Sequence, residues 1–182
     1  MKELTEIRWH ARAGQGAKTA SQLLALALLR SGKSAQAFPE YGPERRGAPL
    51  RAFTRVSDRP IRRHDTITDP DLVVVLEPSL VHEADVADGL EPDGLVLVNA
   101  EERPTELDGL ADGGRVRCVP ASRLASARGS GFVNLIMVGA AGAALGQPKL
   151  EQLQDAAVEL LGRKADAGAV RDAVAEGYRW RS

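Results

Sequence analysis

The chain has 182 residues, 43% hydrophobic and 27% charged, which fits one soluble globular domain and excludes the disordered and low-complexity classes. A single cysteine, Cys118, rules out an internal disulfide, and equally an iron–sulfur cluster or a cysteine-rich zinc site held by this chain alone. The net charge of −1 hides an asymmetry: residues 1–65 carry 13 basic and 6 acidic side chains, residues 66–114 carry 1 and 13, and residues 115–182 carry 10 and 6.

Glu6 to Arg12 reads as a strand that runs straight into the glycine turn Gly14-Gln15-Gly16. Ala17 to Arg30 reads as a helix, because Ala20, Leu23, Leu24, Ala27 and Leu28 recur at helical spacing. Leu26 and Leu29 widen that stripe, and Gly32 supplies the stop. Ser34 to Phe38 is a short second strand. The next eleven residues, Pro39 to Pro49, hold three prolines and two glycines and forbid regular structure. Leu50 to Ser57 alternates as a strand with one polar face. Asp71 to Leu76, Leu95 to Val98 and Val116 to Val119 are continuous apolar runs of the kind that sit centrally in a sheet. Ser79 to Ala87 reads as helical, and Thr105 to Leu110 more faintly so.

The last third is helical. Phe132 to Leu145 is rich in Ala and Gly, so a second backbone can approach it closely. Leu150, Leu153, Ala157, Leu160 and Leu161 mark one further helix, and Val170, Ala173, Val174, Gly177 and Tyr178 mark the last. The alternation predicts a single α/β domain over residues 1–182, three-layered, with a mainly parallel or mixed sheet and a helical C-terminal third. Met1 to Ile7 lacks the pattern of a signal peptide, and the most apolar stretch, Gly131 to Gly146, is shorter than the ~18–20 residues of a membrane span. A cytoplasmic protein is expected.

Two segments stand out as candidate ligand sites. The first is Arg12-Ala13-Gly14-Gln15-Gly16-Ala17-Lys18-Thr19, a glycine turn leading into a helix, where α/β proteins hold anions. It fails the dinucleotide fingerprint, because Thr19 stands at the third small position, and it fails the P-loop pattern, because Arg12 stands where the first glycine belongs. A loose phosphate cradle and a plain tight turn both remain open. The second is the loop around Arg45-Arg46, whose prolines restrict it and whose paired guanidiniums suit carboxylate or phosphate oxygens. Asn134 interrupts an apolar helix, so it is either a buried cap or a ligand contact. His10, His64 and His82 lack metal-ligand spacing; a structural role is expected for His10, and an inert one for Cys118.

Ile7 to Gly16, Ala37 to Pro49 and Phe132 to Ala140, taken in order, resemble the gamma subunit of 2-oxoacid:ferredoxin oxidoreductases, most closely the pyruvate-type members. The resemblance implies a subunit of a complex that converts a 2-oxoacid, coenzyme A and an oxidised acceptor to acyl-CoA, CO2 and the reduced acceptor. It places thiamine diphosphate, magnesium and iron–sulfur clusters in partner chains, namely alpha-, beta- and delta-type subunits. The acceptor it implies is ferredoxin or an NAD-linked flavin subunit. For this chain it implies coenzyme A contacts at Gly14, Gln15, Gly16, Lys18, Arg45, Arg46 and Asn134, no catalytic residue and no metal. The alternatives are a purely structural assembly subunit, or service to an aryl or branched 2-oxoacid. The family usually reads H-G-R-G-G-Q-G at the turn, where this chain has Ala11 and Ala13; alanine tolerates positive φ poorly, so a turn with tighter walls, or one that approaches its ligand less closely, is expected.

Overall fold

In the first strand, β1 (Leu4–Arg12), side chains alternate between two faces of the sheet, so Ile7, Trp9 and Ala11 share one face and Glu6, Arg8 and His10 the other. The computed structural model describes residues 3–40, 47–110, 113–128 and 131–180. After β1 come α1 (Ala17–Arg30), β2 (Ser34–Pro39), β3 (Pro49–Ser57), β4 (Leu72–Val75), α2 (Leu80–Glu83), β5 (Leu95–Val98) and a 3-10 turn over Thr105–Leu110. The chain continues with β6 (Val116–Cys118), α3 (Ala121–Ala127), α4 (Val133–Leu145), α5 (Leu150–Leu161), a second 3-10 turn and α6 (Ala167–Arg179).

The six strands form one mixed sheet in the order β2-β3-β1-β4-β5-β6. β1, β4, β5 and β6 run parallel, and β3 runs antiparallel to both β1 and β2. β1 therefore lies where the sheet divides, with its first helix leading to the β2–β3 side and its other neighbour, β4, on the parallel side. The carboxyl ends of β1 and β4 open there into a crevice, the position where open α/β sheets hold ligands.

One face of the sheet carries the main core. Ile7, Trp9, Ala11, Ala52, Val56 and Val74 pack there against α1, α4, α5 and α6. α1 ends in a Schellman arrangement, with Lys33 N–H donating to Leu28 (3.1 Å) and Gly32 N–H to Leu29 (3.0 Å). Its middle is tied to the sheet by a buried relay: Trp9 Nε1 donates to Thr54 Oγ1 (3.0 Å), which donates to the Ser21 carbonyl (3.2 Å). α4 and α6 cross with backbones nearly touching, as the small residues of α4 predict. A β-carbon at Gly139 or Gly177 would collide with the carbonyl oxygen of Val174 or Ile136.

The opposite face has a thinner cover. Val73, Val75, Val96 and Val98 pack under Leu80, Val81, Val86 and Leu107 from α2, the 3-10 turn and their loops. The helix expected over Ser79–Ala87 is one turn only, Leu80–Glu83. It stops because Ala84 is extended and the Asp85 carboxylate accepts from Ala87 N–H (3.1 Å), a local turn that competes with helix. The β1–β3 end of this face is charged yet buried. Arg55 is wholly enclosed, its Nε 2.7 Å from Glu6 Oε1 and its guanidinium 5.3 Å from the Phe38 ring centre.

Candidate functional site

At the carboxyl ends of the strands lies a cavity of about 490 Å³, within the ~300–1,000 Å³ of small-molecule sites. Gly14, Gln15 and Gly16 line it from the β1–α1 turn, and Leu76, Glu77 and Pro78 from the end of β4. Asn99 follows β5, Ser122 belongs to α3, and Gly131, Val133 and Asn134 come from the start of α4.

The turn is built by two left-handed glycines, Gly14 at φ 99° and Gly16 at φ 83°. Neither alanine of the departure from the family pattern has a positive φ. Ala11 stays in the strand with its methyl in the core, and Ala13 N–H donates to the Ala48 carbonyl (2.9 Å), so the turn closes on its glycines alone. Gly16 caps α1 without a side chain, and the first intrahelical bond runs from Ala20 N–H to Gly16 (2.8 Å). The N–H groups of Ala17, Lys18 and Thr19 thus precede the helical ladder.

The strand ends are laced together laterally. Gln15 Oε1 accepts from Arg12 N–H (2.7 Å), and Gln15 Nε2 donates to Glu77 Oε2 (2.6 Å). Glu77 Oε1 accepts in turn from Ser79 N–H (3.2 Å). Asn99 Nδ2 donates to the Leu76 carbonyl (2.9 Å) and to Ser122 Oγ (2.8 Å), while its Oδ1 accepts from Ser122 N–H (3.0 Å). Burial pushes the Glu77 carboxyl upward, but hydrogen bonds from Gln15 and Ser79 outweigh it and hold the group below its ordinary range. Glu77 is therefore anionic at neutral pH. Asn134 is half-buried at the first turn of α4 and has no hydrogen bond from its side chain among the described residues. It approaches so closely that a β-carbon at Gly16 would stand 2.6 Å from its Nδ2.

Four of the expected contact residues, Gly14, Gln15, Gly16 and Asn134, thus meet at one cavity although Asn134 is far away in sequence. Lys18 does not line it; it is exposed on the first turn of α1. Arg45 and Arg46 lie outside the described residues. Of the described residues on either side of them, Gly47 accepts from Arg12 Nη1 through its carbonyl (3.2 Å) and Glu40 pairs with Arg51. Arg12 also donates to Ser79 Oγ (3.0 Å) and pairs with Glu83. Glu77, Asn99 and Ser122 were missed from sequence. The available signal was a polar residue directly after each apolar strand, Glu77 after Leu76 and Asn99 after Val98.

His10 has the structural role expected of it. It is 6% exposed, and its Nε2 accepts from Arg8 Nε (3.1 Å). Burial, with Arg8 and Arg51 nearby, lowers its pKa to about 3. Burial raises the Cys118 thiol, which leaves it protonated at neutral pH.

Residues 6–180 match the pyruvate ferredoxin/flavodoxin oxidoreductase family. The common gamma subunit of the pyruvate/ketoisovalerate oxidoreductases of Thermococcus kodakarensis is 46% identical over 159 residues, 86% of each chain. The crystal structure of pyruvate oxidoreductase subunit PORC from Thermotoga maritima superposes with a TM-score of 0.80 at 37% identity, covering 97% of this chain and 96% of that one. The same fold recurs within a larger chain, the 2-oxoglutarate:ferredoxin oxidoreductase of Magnetococcus marinus, solved with 2-oxoglutarate, coenzyme A and succinyl-CoA bound. There the TM-score is 0.78 at 17% identity, over 98% of this chain and 31% of that one.

Proposed function

The chain belongs to the pyruvate ferredoxin/flavodoxin oxidoreductase family, as a gamma-type subunit of a 2-oxoacid oxidoreductase complex, and we propose that its part in that complex is to contact coenzyme A. The reaction of the complex is oxidation of a 2-oxoacid with coenzyme A to acyl-CoA and CO2, its electrons passing to ferredoxin or an NAD-linked flavin subunit. Thiamine diphosphate, magnesium and the clusters belong to alpha-, beta- and delta-type partners; this chain, with one cysteine, supplies binding surface. The observation that carries the reading is the convergence of Gly14, Gln15, Gly16 and Asn134 on one cavity at the division of the sheet. The Arg45-Arg46 pair, which precedes Gly47, whose carbonyl accepts from Arg12, is assigned to an anion, a coenzyme A phosphate or an acidic partner side chain. Pyruvate is the favoured substrate. That one gamma subunit of a relative serves both pyruvate and ketoisovalerate enzymes supports selection of the 2-oxoacid on another chain.

The test is purification through a tag on this chain. Larger chains carrying thiamine diphosphate and clusters should co-purify, and the complex should reduce ferredoxin with pyruvate only when coenzyme A is present. A chain that purifies alone and binds nucleotides would contradict the assignment. Activity with an unchanged coenzyme A KM after Gly16→Ala, which forces Asn134 aside, would favour a purely structural subunit.

A further inference from the structure

The two edges of the sheet are finished differently. β6 is three residues long, and Trp180 Nε1 donates to its Cys118 carbonyl (3.0 Å). β2 is six residues long, runs against β3 without a bulge, and has every residue half-buried. Its register fixes which backbone groups face outward. Glu40 N–H donates to the directly opposed Arg51 carbonyl (2.9 Å), so by alternation Phe38, Gln36 and Ser34 bond to β3, while Ala35 and Ala37 turn their N–H and C=O groups away from it. Those outward groups meet no donor or acceptor among the described residues. An open edge is ordinarily guarded by a lysine, a proline or a bulge, and none interrupts β2 between Ser34 and Phe38; Pro39 only ends it.

Along this edge, on the sheet face opposite α1, runs a groove of about 730 Å³ lined by Gln36, Phe38, Phe53, His64 and Thr66. The Phe38 and Phe53 rings lie 5.2 Å apart, and the Arg55 guanidinium stands behind them, 5.3 Å from the Phe38 ring centre. Its Nη1 is buried without a hydrogen-bond partner. In the loop that walls the groove, Lys33 takes Asp58, Arg59 takes Glu3 and Arg63 takes Asp65. Arg62 follows Ile61, whose carbonyl accepts from Gln36 Nε2 (3.4 Å), and has no ion pair or hydrogen bond among the described residues. The segment that builds this side of the molecule, residues 1–65, carries 13 basic and 6 acidic side chains.

We propose that the β2 edge receives an extended, acidic segment of a partner subunit, which pairs with Ala35 and Ala37 as a further strand and sets an apolar side chain into the Phe38–Phe53 groove. Main-chain bonds to the two alanines supply affinity, and alternate side chains supply specificity. Residues of the added strand opposite Gln36 and Phe38 share the groove face, where a neighbouring carboxylate meets Arg62. A second copy of this chain would bring the same basic side against itself, which like-charge repulsion disfavours. This surface does not depend on the coenzyme A reading, because β2 is outermost in the sheet and lies beyond β3 from β1.

The test uses the assembled complex. Hydrogen–deuterium exchange resolved to single amides should show Ala35 and Ala37 slowed at least about tenfold from free-peptide rates, like their inward neighbours Gln36 and Phe38. A photo-reactive benzoylphenylalanine in place of Thr66, exposed at the groove, should cross-link to an acidic segment of another subunit, located by peptide mapping. Arg62→Glu should weaken retention of this subunit severalfold, most at low salt. Alternating exchange, with Ala35 and Ala37 fast and Gln36 and Phe38 slow, would show an open edge and overturn the proposal. So would a cross-link confined to copies of this chain, and unchanged retention of Arg62→Glu would overturn the acidic occupant.

Discussion

His10 joins sequence position to solution behaviour most directly. It stands in β1 opposite Arg51 of β3 and next but one to Arg8, so burial and two guanidiniums keep its ring neutral down to about pH 3. In the unfolded chain the imidazole takes its proton near the ordinary value of 6.5. Between those values the unfolded state binds the extra proton, so folding stability falls as pH falls, by up to about 1.4 kcal/mol per unit. His10→Gln, which still offers an acceptor to Arg8 but does not titrate, should flatten the loss between pH 6.5 and 3 by up to one proton. Urea denaturation at stepped pH reads this, and an unaltered slope would show that His10 is solvated. The buried polar face around it was hidden from sequence. Glu6, Arg8 and His10 alternate with apolar residues as on a solvent-facing strand, and β3 reads with one polar face. The structure instead covers Arg8 with carbonyls of Val86 and Asp88, and Arg55 with that of Asp65. Those covers come from distant loops without periodicity of their own.

The long apolar elements were legible because period and length agree: α1, α4, α5 and the central strands lie within a residue or two of expectation, and α6 begins three residues before its first expected apolar position. α3 was not, being seven residues long and held at its start by Asn99, 23 residues earlier, rather than by a local cap. The close crossing of α4 and α6 was foreshadowed by the glycines of α4, and it carries a prediction. Gly177→Ala would press a methyl onto the Ile136 carbonyl, so α6 must shift; overpacking of this kind costs roughly 1–3 kcal/mol. The urea midpoint should fall with the m-value unchanged. An unmoved midpoint would mean that the helices lie farther apart. The loop at Arg45-Arg46 carries another. Replacing both by Ala should leave the core intact, raise the KM for coenzyme A or loosen the complex, and act in the same direction as added salt. Normal assembly with an unchanged KM would make the loop a solvated one.

For the whole molecule, the mixed sheet accounts for where the proposed coenzyme A site lies. Antiparallel β3 beside β1 turns the chain to one side, parallel β4 lies on the other, and the crevice between them gathers residues from the turn, two further strand ends and α4. The turn and Asn134 were visible in the sequence, but their meeting was not, because it depends on α4 packing against α1 across the same sheet face. Glu77 was marked only by its place directly after an apolar strand, and its pairing with Gln15, 62 positions away, was not legible in the sequence. Hydrogen–deuterium exchange on the assembled complex, with and without coenzyme A, tests the central claim most directly. Coenzyme A should protect the amides of residues 14–19 and the first turn of α4, with β2 and the α5–α6 region unaffected. Protection confined to other parts of the complex, with these two segments exchanging as before, would contradict a coenzyme A site at the strand ends of this subunit.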